Sequence, residues 1–243
     1  MNTTLFPITR IRKLRKDALQ ATELPRHIPS GWSKSSVDPM RLLECFPALR
    51  LKQGFRLRAY QFSEGGNGNG FIWALPDGAA FPDPEVCPRL EGRFLEPPKP
   101  PGAVHVLDAI EGDSSPWSYL SASIFAREAA EFGAMWHGVS WGVEEILWRS
   151  PFLDWAALQE TTSESWHLSP DDERSEWEWG NPPPKIWRPS CTFDFDGVTV
   201  AFLTRSELGE NAISMHVDRY GRGSTRFESE VTTIATGGGG FVW

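Results

Sequence analysis

The chain has 243 residues, of which 40 % are apolar and 23 % charged, and its net charge is −8. That composition excludes wholesale disorder, and no apolar run approaches the ~18–20 residues that cross a bilayer. Residues 1–20 carry Arg10, Arg12, Lys13, Arg15 and Lys16 against Asp17 alone, so the remaining chain holds −12. An acidic body disfavours wide contact with nucleic acid, whose binding rests on phosphate neutralisation.

The basic N-terminus reads as an arm that is the part most dispensable for folding. A competing pattern is the stripe Ile8, Ile11, Leu14 and Ala18, spaced to dock one helix face. Residues 37–46 predict a short helix, with Asp38 as N-cap and Pro39 at its first position. FRLRAYQF (55–62) and GFIWALP (70–76) flank a Gly/Asn-rich run and predict a hairpin. Phe55, Leu57, Ala59 and Gln61 share one face of its first strand; Arg56, Arg58, Tyr60 and Phe62 share the other.

Residues 77–102 are rich in proline and predict an irregular connection. A strand over 103–110 follows, then a helix over 116–132, capped by Ser115-Pro116 and stopped by Gly133. Between 135 and 148, Gly138 and Gly142 would each cost about 1 kcal/mol inside a helix. The expectation there is a strand at 135–141 and a short helix at 142–148, with another helix at 150–159. Residues 160–189 are irregular and contain the acidic run 170–173. From 186 onward the pattern is β. CTFDF (191–195) and VTVAFLT (198–204) flank Asp196-Gly197, a pair suited to a type I′ turn. Strands at 213–220 and 225–236 complete the pattern.

Hairpins with clustered helices predict an α+β fold: antiparallel sheets built from hairpins, with a few helices packed on one face. The reading is one domain over 1–243. If the chain splits, the units are 1–160 and 190–243, joined by 161–189.

Twelve tryptophans set this chain apart, and eight of them fall between Trp136 and Trp187. Indoles are either large core fillers or anchors of a binding surface. Trp177 and Trp179 flank Glu178, so on an extended segment both indoles face one way. Together with Trp243, at the end of a GGGGFVW tail, they are the candidate binding residues. The favoured function is a non-enzymatic protein-binding or assembly protein that recognises a basic partner through an acidic, Trp-rich surface. A carbohydrate-binding module stacking sugars on Trp177 and Trp179 is one alternative.

An enzyme of hydrolase type is the other. Its candidate catalytic residues are His137 with Glu144 or Glu145, since an imidazole oriented by a carboxylate is a minimal acid–base kit. A metal is the variant reading at His105, Asp108, Glu111 and Asp113, which crowd oxygen donors at a helix start. Their spacing matches no known metal loop, and acids before a helix are favoured by its dipole in any case. The chain has no GxSxG elbow, and neither glycine-rich run continues into a phosphate loop. No cofactor is expected, nor a nucleic-acid or membrane partner. Cys45, Cys87 and Cys191 form no metal or disulfide pattern, and with no apolar leader the expected location is the cytoplasm.

Overall fold

A computed structural model describes residues 2–25, 27–93, 95–151 and 177–237. The fold is α+β, with antiparallel sheets built from hairpins. The larger sheet joins β1 (Asn2–Leu5), β8 (Glu145–Ile146), β9 (Trp177–Trp179), β10 (Ser190–Phe193), β11 (Val198–Ser206), β12 (Asn211–Tyr220) and β13 (Phe227–Gly237). Its strand order is β1-β10-β11-β12-β13-β9, and β8 extends the β10 side of β11. The second sheet has the order β2-β4-β5-β6, from β2 (Gly31–Lys34), β4 (Phe55–Glu64), β5 (Asn67–Pro76) and β6 (Val104–His105). A small pair joins β3 (Leu49–Leu51) to β7 (Ile110–Gly112).

Helix α4 (Pro116–Ala130) packs on both large sheets. Its start follows the sequence rules: Ser115 Oγ accepts from Ser118 N, and Pro116 opens the first turn. Eight consecutive residues, Ser118–Phe125, are buried, so the helix is enclosed on every side rather than along one stripe. Small side chains make this possible. Ser121, Ala122 and Ser123 let neighbouring elements approach, and Ser123 hydrogen-bonds the Tyr220 hydroxyl at 2.6 Å.

Hairpin β4–β5 is longer and tighter than predicted. It turns on Gly65 and Gly66, both at positive φ, and Asn67–Gly70 belong to the strand. Gly68 and Gly70 serve a different purpose. The chain after α4 crosses β5, with Gly70 N donating to Phe132 O at 2.7 Å and Met135 N to Gly68 O at 2.9 Å. A Cβ on Gly70 would sit 2.5 Å from Phe132 O. The hairpin buries both faces, as its two sets of side chains require. Leu57 and Ala59 join the main core, and Tyr60 and Trp73 form a second cluster with Cys87 and Ala103. The irregular segment 77–102 covers that second face. It is held by Tyr60 Oη on Pro82 O (2.7 Å), Trp73 Nε1 on Pro98 O (2.8 Å) and Trp32 Nε1 on Leu95 O (3.3 Å).

Several expectations are corrected. The predicted strand 103–110 is β6, then α3 (Val106–Ala109), then β7, because His105 caps a helical turn by accepting from Leu107 N. Residues 135–146 form two 3-10 turns, Trp136–Gly138 and Trp141–Val143, and then β8. Close approach of Gly138 to Gly68 O and collection of backbone N–H groups by Glu131 override the predicted strand and helix. The predicted 37–46 helix is shorter, α2 (Met40–Glu44), with Asp38 Oδ1 accepting from Met40 N. Asp196-Gly197 is not a type I′ turn. Asp194 Oδ1 accepts from both Asp196 N and Gly197 N, closing a four-residue loop. Residues 152–159 of the predicted helix, the acidic run 170–173 and the tail with Trp243 lie outside the described residues.

The largest correction concerns the N-terminus. Strand β1 pairs with β10, and α1 (Ile8–Ala21) buries Ile8, Ile11, Leu14 and Ala18 in the main core. The basic side chains are the solvated side of a packed helix, not a dispensable arm. Ile11→Ala, at a side chain with no exposure, should therefore cost about 2–5 kcal/mol in urea unfolding, whereas Lys16→Ala should cost under about 0.5. Equal, small effects of the two changes would restore the arm.

Candidate functional site

The last turn of α4 carries Arg127 and Glu128, Glu131 follows as its C-cap, and these three organise the polar interior. Arg127 grips Asp218 of β12 with two hydrogen bonds, of 2.7 and 3.0 Å, and Asp218 is fully buried. Ser229 Oγ completes the carboxylate at 2.7 Å. Beside them His216 stacks on Phe202, with ring centroids 4.8 Å apart. Its Nδ1 lies 3.4 Å from the Arg127 guanidinium, which only donates, so we assign the ring proton to Nε2. Nε2 faces Thr204 Oγ1 at 2.9 Å and the Glu144 carboxylate at 3.5 Å. Burial alone would raise the Glu144 carboxyl, but the proximity of His216 and Thr204 and the charge of Arg15 leave it below its ordinary value.

Glu128 extends the network toward α1. Its Oε1 accepts from Arg15 Nε at 3.0 Å and from Trp141 Nε1 at 2.9 Å. Arg15 also lies over the Trp141 ring and donates to the backbone oxygens of Trp141 and Glu144. Burial pushes the Glu128 carboxyl above its ordinary value despite Arg15. Glu131 shapes the next loop, its two oxygens taking the N–H groups of Ser140, Trp141 and Gly142.

On the α1 side of this network lies a cleft of about 600 Å³. Its apolar walls include Leu19, Leu24, Met135 and Val139, and its acids are Glu23, Glu128 and Glu131. Among the described residues no basic side chain lines it. The second oxygen of Glu128 takes no hydrogen bond from the described residues. Next to Met135, Trp136 is 64 % exposed and held at φ +46°. A non-glycine residue pays for that conformation in stability, and such outliers concentrate at working surfaces.

The residues singled out from sequence are dispersed. His137 is exposed, and its backbone N–H reaches Asn67 Oδ1 at 3.4 Å. Glu144 turns instead to His216, and Glu145 pairs with Arg12 at 2.5 Å. The His105–Asp113 group splits among four partners: His105 caps α3, Asp108 holds Arg226, Glu111 holds Arg50, and Asp113 accepts from Ser115 N. Among the described residues no group of three or more such side chains is placed to hold a metal. Trp177 and Trp179 do face one way, but half-buried, onto Leu147, Leu203, Ile213 and Ile234, with Glu178 exposed between them. Gly237 admits Trp177, since a Cβ there would lie 2.6 Å from the indole. His216, Arg127, Glu128 and Trp136 were not singled out from sequence. Their partners lie up to 113 residues away, and no local spacing marks them. The sequence matches no protein-family model, and neither a curated protein nor a solved structure is significantly similar to it.

Burial, reinforced by Arg226, pushes the His105 imidazole down to about 4. The unfolded chain takes up that proton near pH 6.5, so the contribution to stability is present above 6.5 and is lost as pH falls through 4. Glu128 acts in the opposite sense, its raised carboxyl disfavouring the fold as pH rises past 4.5. His105→Asn keeps a cap acceptor and removes the titration. Urea midpoints measured from pH 6.5 to 4 should fall less in this variant than in the parent chain. Parallel curves would contradict the assignment.

Proposed function

We propose that the protein is a non-enzymatic binding protein that recognises a basic partner through the cleft beneath the 131–142 loop. One observation carries this reading: three carboxylates and no basic side chain among the described residues that line a cleft of about 600 Å³. Leu19, Leu24, Met135 and Val139 suit the methylenes of a lysine side chain, and the unengaged oxygen of Glu128 suits its ammonium group. Trp136, exposed and next in sequence to the lining residue Met135, offers an indole for cation–π contact with such a partner. Recognition is therefore assigned to this cleft rather than to Trp177, Glu178 and Trp179, whose indoles cover a small apolar cluster. No helix among the described residues is long and apolar enough to cross a membrane. Three free thiols support a cytoplasmic setting.

Fluorescence anisotropy with a labelled oligolysine peptide tests the reading. Saturable binding is expected, weakening as salt is raised. Leu19→Arg, at a position 66 % exposed, should leave the melting temperature unchanged and cut affinity at least tenfold. Trp136→Gly removes a positive-φ cost of about 1 kcal/mol, so it should weaken binding without loss of stability. Undiminished binding by Leu19→Arg, or binding indifferent to salt, would contradict the proposal.

A further inference from the structure

A second cavity, of about 220 Å³, opens on the opposite side of α4 from the cleft. Trp32 and Phe71 contribute its aromatic walls, and Ile72 and Ala126 belong to its apolar floor. Asn69 also lines it, with one amide N–H donating to Ala130 O at 3.3 Å and its Oδ1 accepting from Gly70 N at 2.9 Å, so that one N–H is left over. Two further polar groups face a ligand. His105 Nδ1 accepts from Leu107 N at 3.2 Å, which leaves the ring proton on Nε2, and Nε2 has no hydrogen-bond partner among the described residues. Arg93, exposed at the same cavity, makes no ion pair among the described residues. Arg226, the other cation acting on His105, is already held by Asp108 at 2.5 and 2.6 Å. A protein of net charge −8 thus presents a local surplus of positive charge and two donors at one end of an apolar, aromatic hollow.

We propose that this cavity is a binding site for a small aromatic carboxylate. The flat ring lies against Trp32 and Phe71 over the apolar floor, and the carboxylate accepts from His105 Nε2–H and Arg93. Free phosphate satisfies the donors but leaves the apolar walls wet. An alkylammonium satisfies neither donor and meets Arg93 as a like charge. The volume admits a single or fused ring and falls below the ~300 Å³ typical of drug-sized ligands.

Titration calorimetry on the full chain with indole-3-carboxylate, its neutral primary amide and inorganic phosphate is the test. Indole-3-carboxylate should bind with one-site stoichiometry, the amide about tenfold or more weaker, as expected for loss of a charge-assisted hydrogen bond, and phosphate not at all. Arg93→Gln should erase the preference for carboxylate over amide while the amide still binds. Ala126→Phe should fill the floor and abolish binding of both. If that variant fails to fold, Arg93→Gln, at an exposed position, decides alone. Leu19→Arg in the acidic cleft should leave carboxylate binding intact, which separates this site from the proposed lysine cleft. No binding of indole-3-carboxylate up to millimolar concentration would overturn the proposal. So would equal affinity for acid and amide, or an Arg93→Gln variant that still discriminates.

Discussion

The buried pair between Arg127 and Asp218 is the interaction on which the rest of the structure depends. Asp218 is fully enclosed and the Arg127 side chain is 14 % exposed, so both charges have left water. Desolvating two ions costs several kcal/mol each, and only close geometry with every remaining lone pair satisfied offsets it. Here the two-pronged contact and Ser229 place three hydrogen bonds on the carboxylate, and the rings of Phe202, Trp141 and Phe227 surround the guanidinium. The pair fixes the end of α4 against β12 and β13. Neighbouring residues at this helix end then set the site: Glu128 ties in α1 through Arg15, and the C-cap Glu131 folds the 140–142 loop.

A helix enclosed as fully as α4 leaves little polar surface between its ends, so the polar groups gather at its last turns. The same economy explains three of the tryptophans. Trp32 and Trp73 donate their indole N–H groups to carbonyls of the proline-rich segment, and Trp141 donates to Glu128. Each indole fills space and latches an irregular stretch with one directed bond. A proline-rich segment lacks N–H groups for a backbone ladder, so side-chain donors reaching its carbonyls are an economical way to hold it. Trp136 differs from these, being exposed in a backbone conformation that favours glycine.

Legibility from sequence followed the range of the interactions. Hairpin β4–β5 and strands β10 to β13 were readable because alternation and turn residues act over a few positions. Helix α4 was readable from its cap, and the stripe Ile8, Ile11, Leu14, Ala18 held the correct account of α1 beside the incorrect one. The segment 103–112 reads as one strand because the cap that opens α3 is an imidazole, His105, and the partners of its acids, Arg226 and Arg50, are distant in sequence. Glu144 stands seven residues from His137, yet two 3-10 turns intervene and its partner is His216 on β12. The cleft draws on residues 19–25, 128–135 and 139–142, which meet only once α4 is seated.

A double-mutant cycle on Arg127→Met and Asp218→Val, followed by urea unfolding, tests this dependence most directly. Each single change strands a charge in the interior and should cost about 3–5 kcal/mol. The double variant replaces the pair with apolar groups and should recover much of that loss, giving a large coupling energy. Strictly additive losses, or single variants as stable as the parent, would contradict the claim that this pair anchors α4 to the larger sheet.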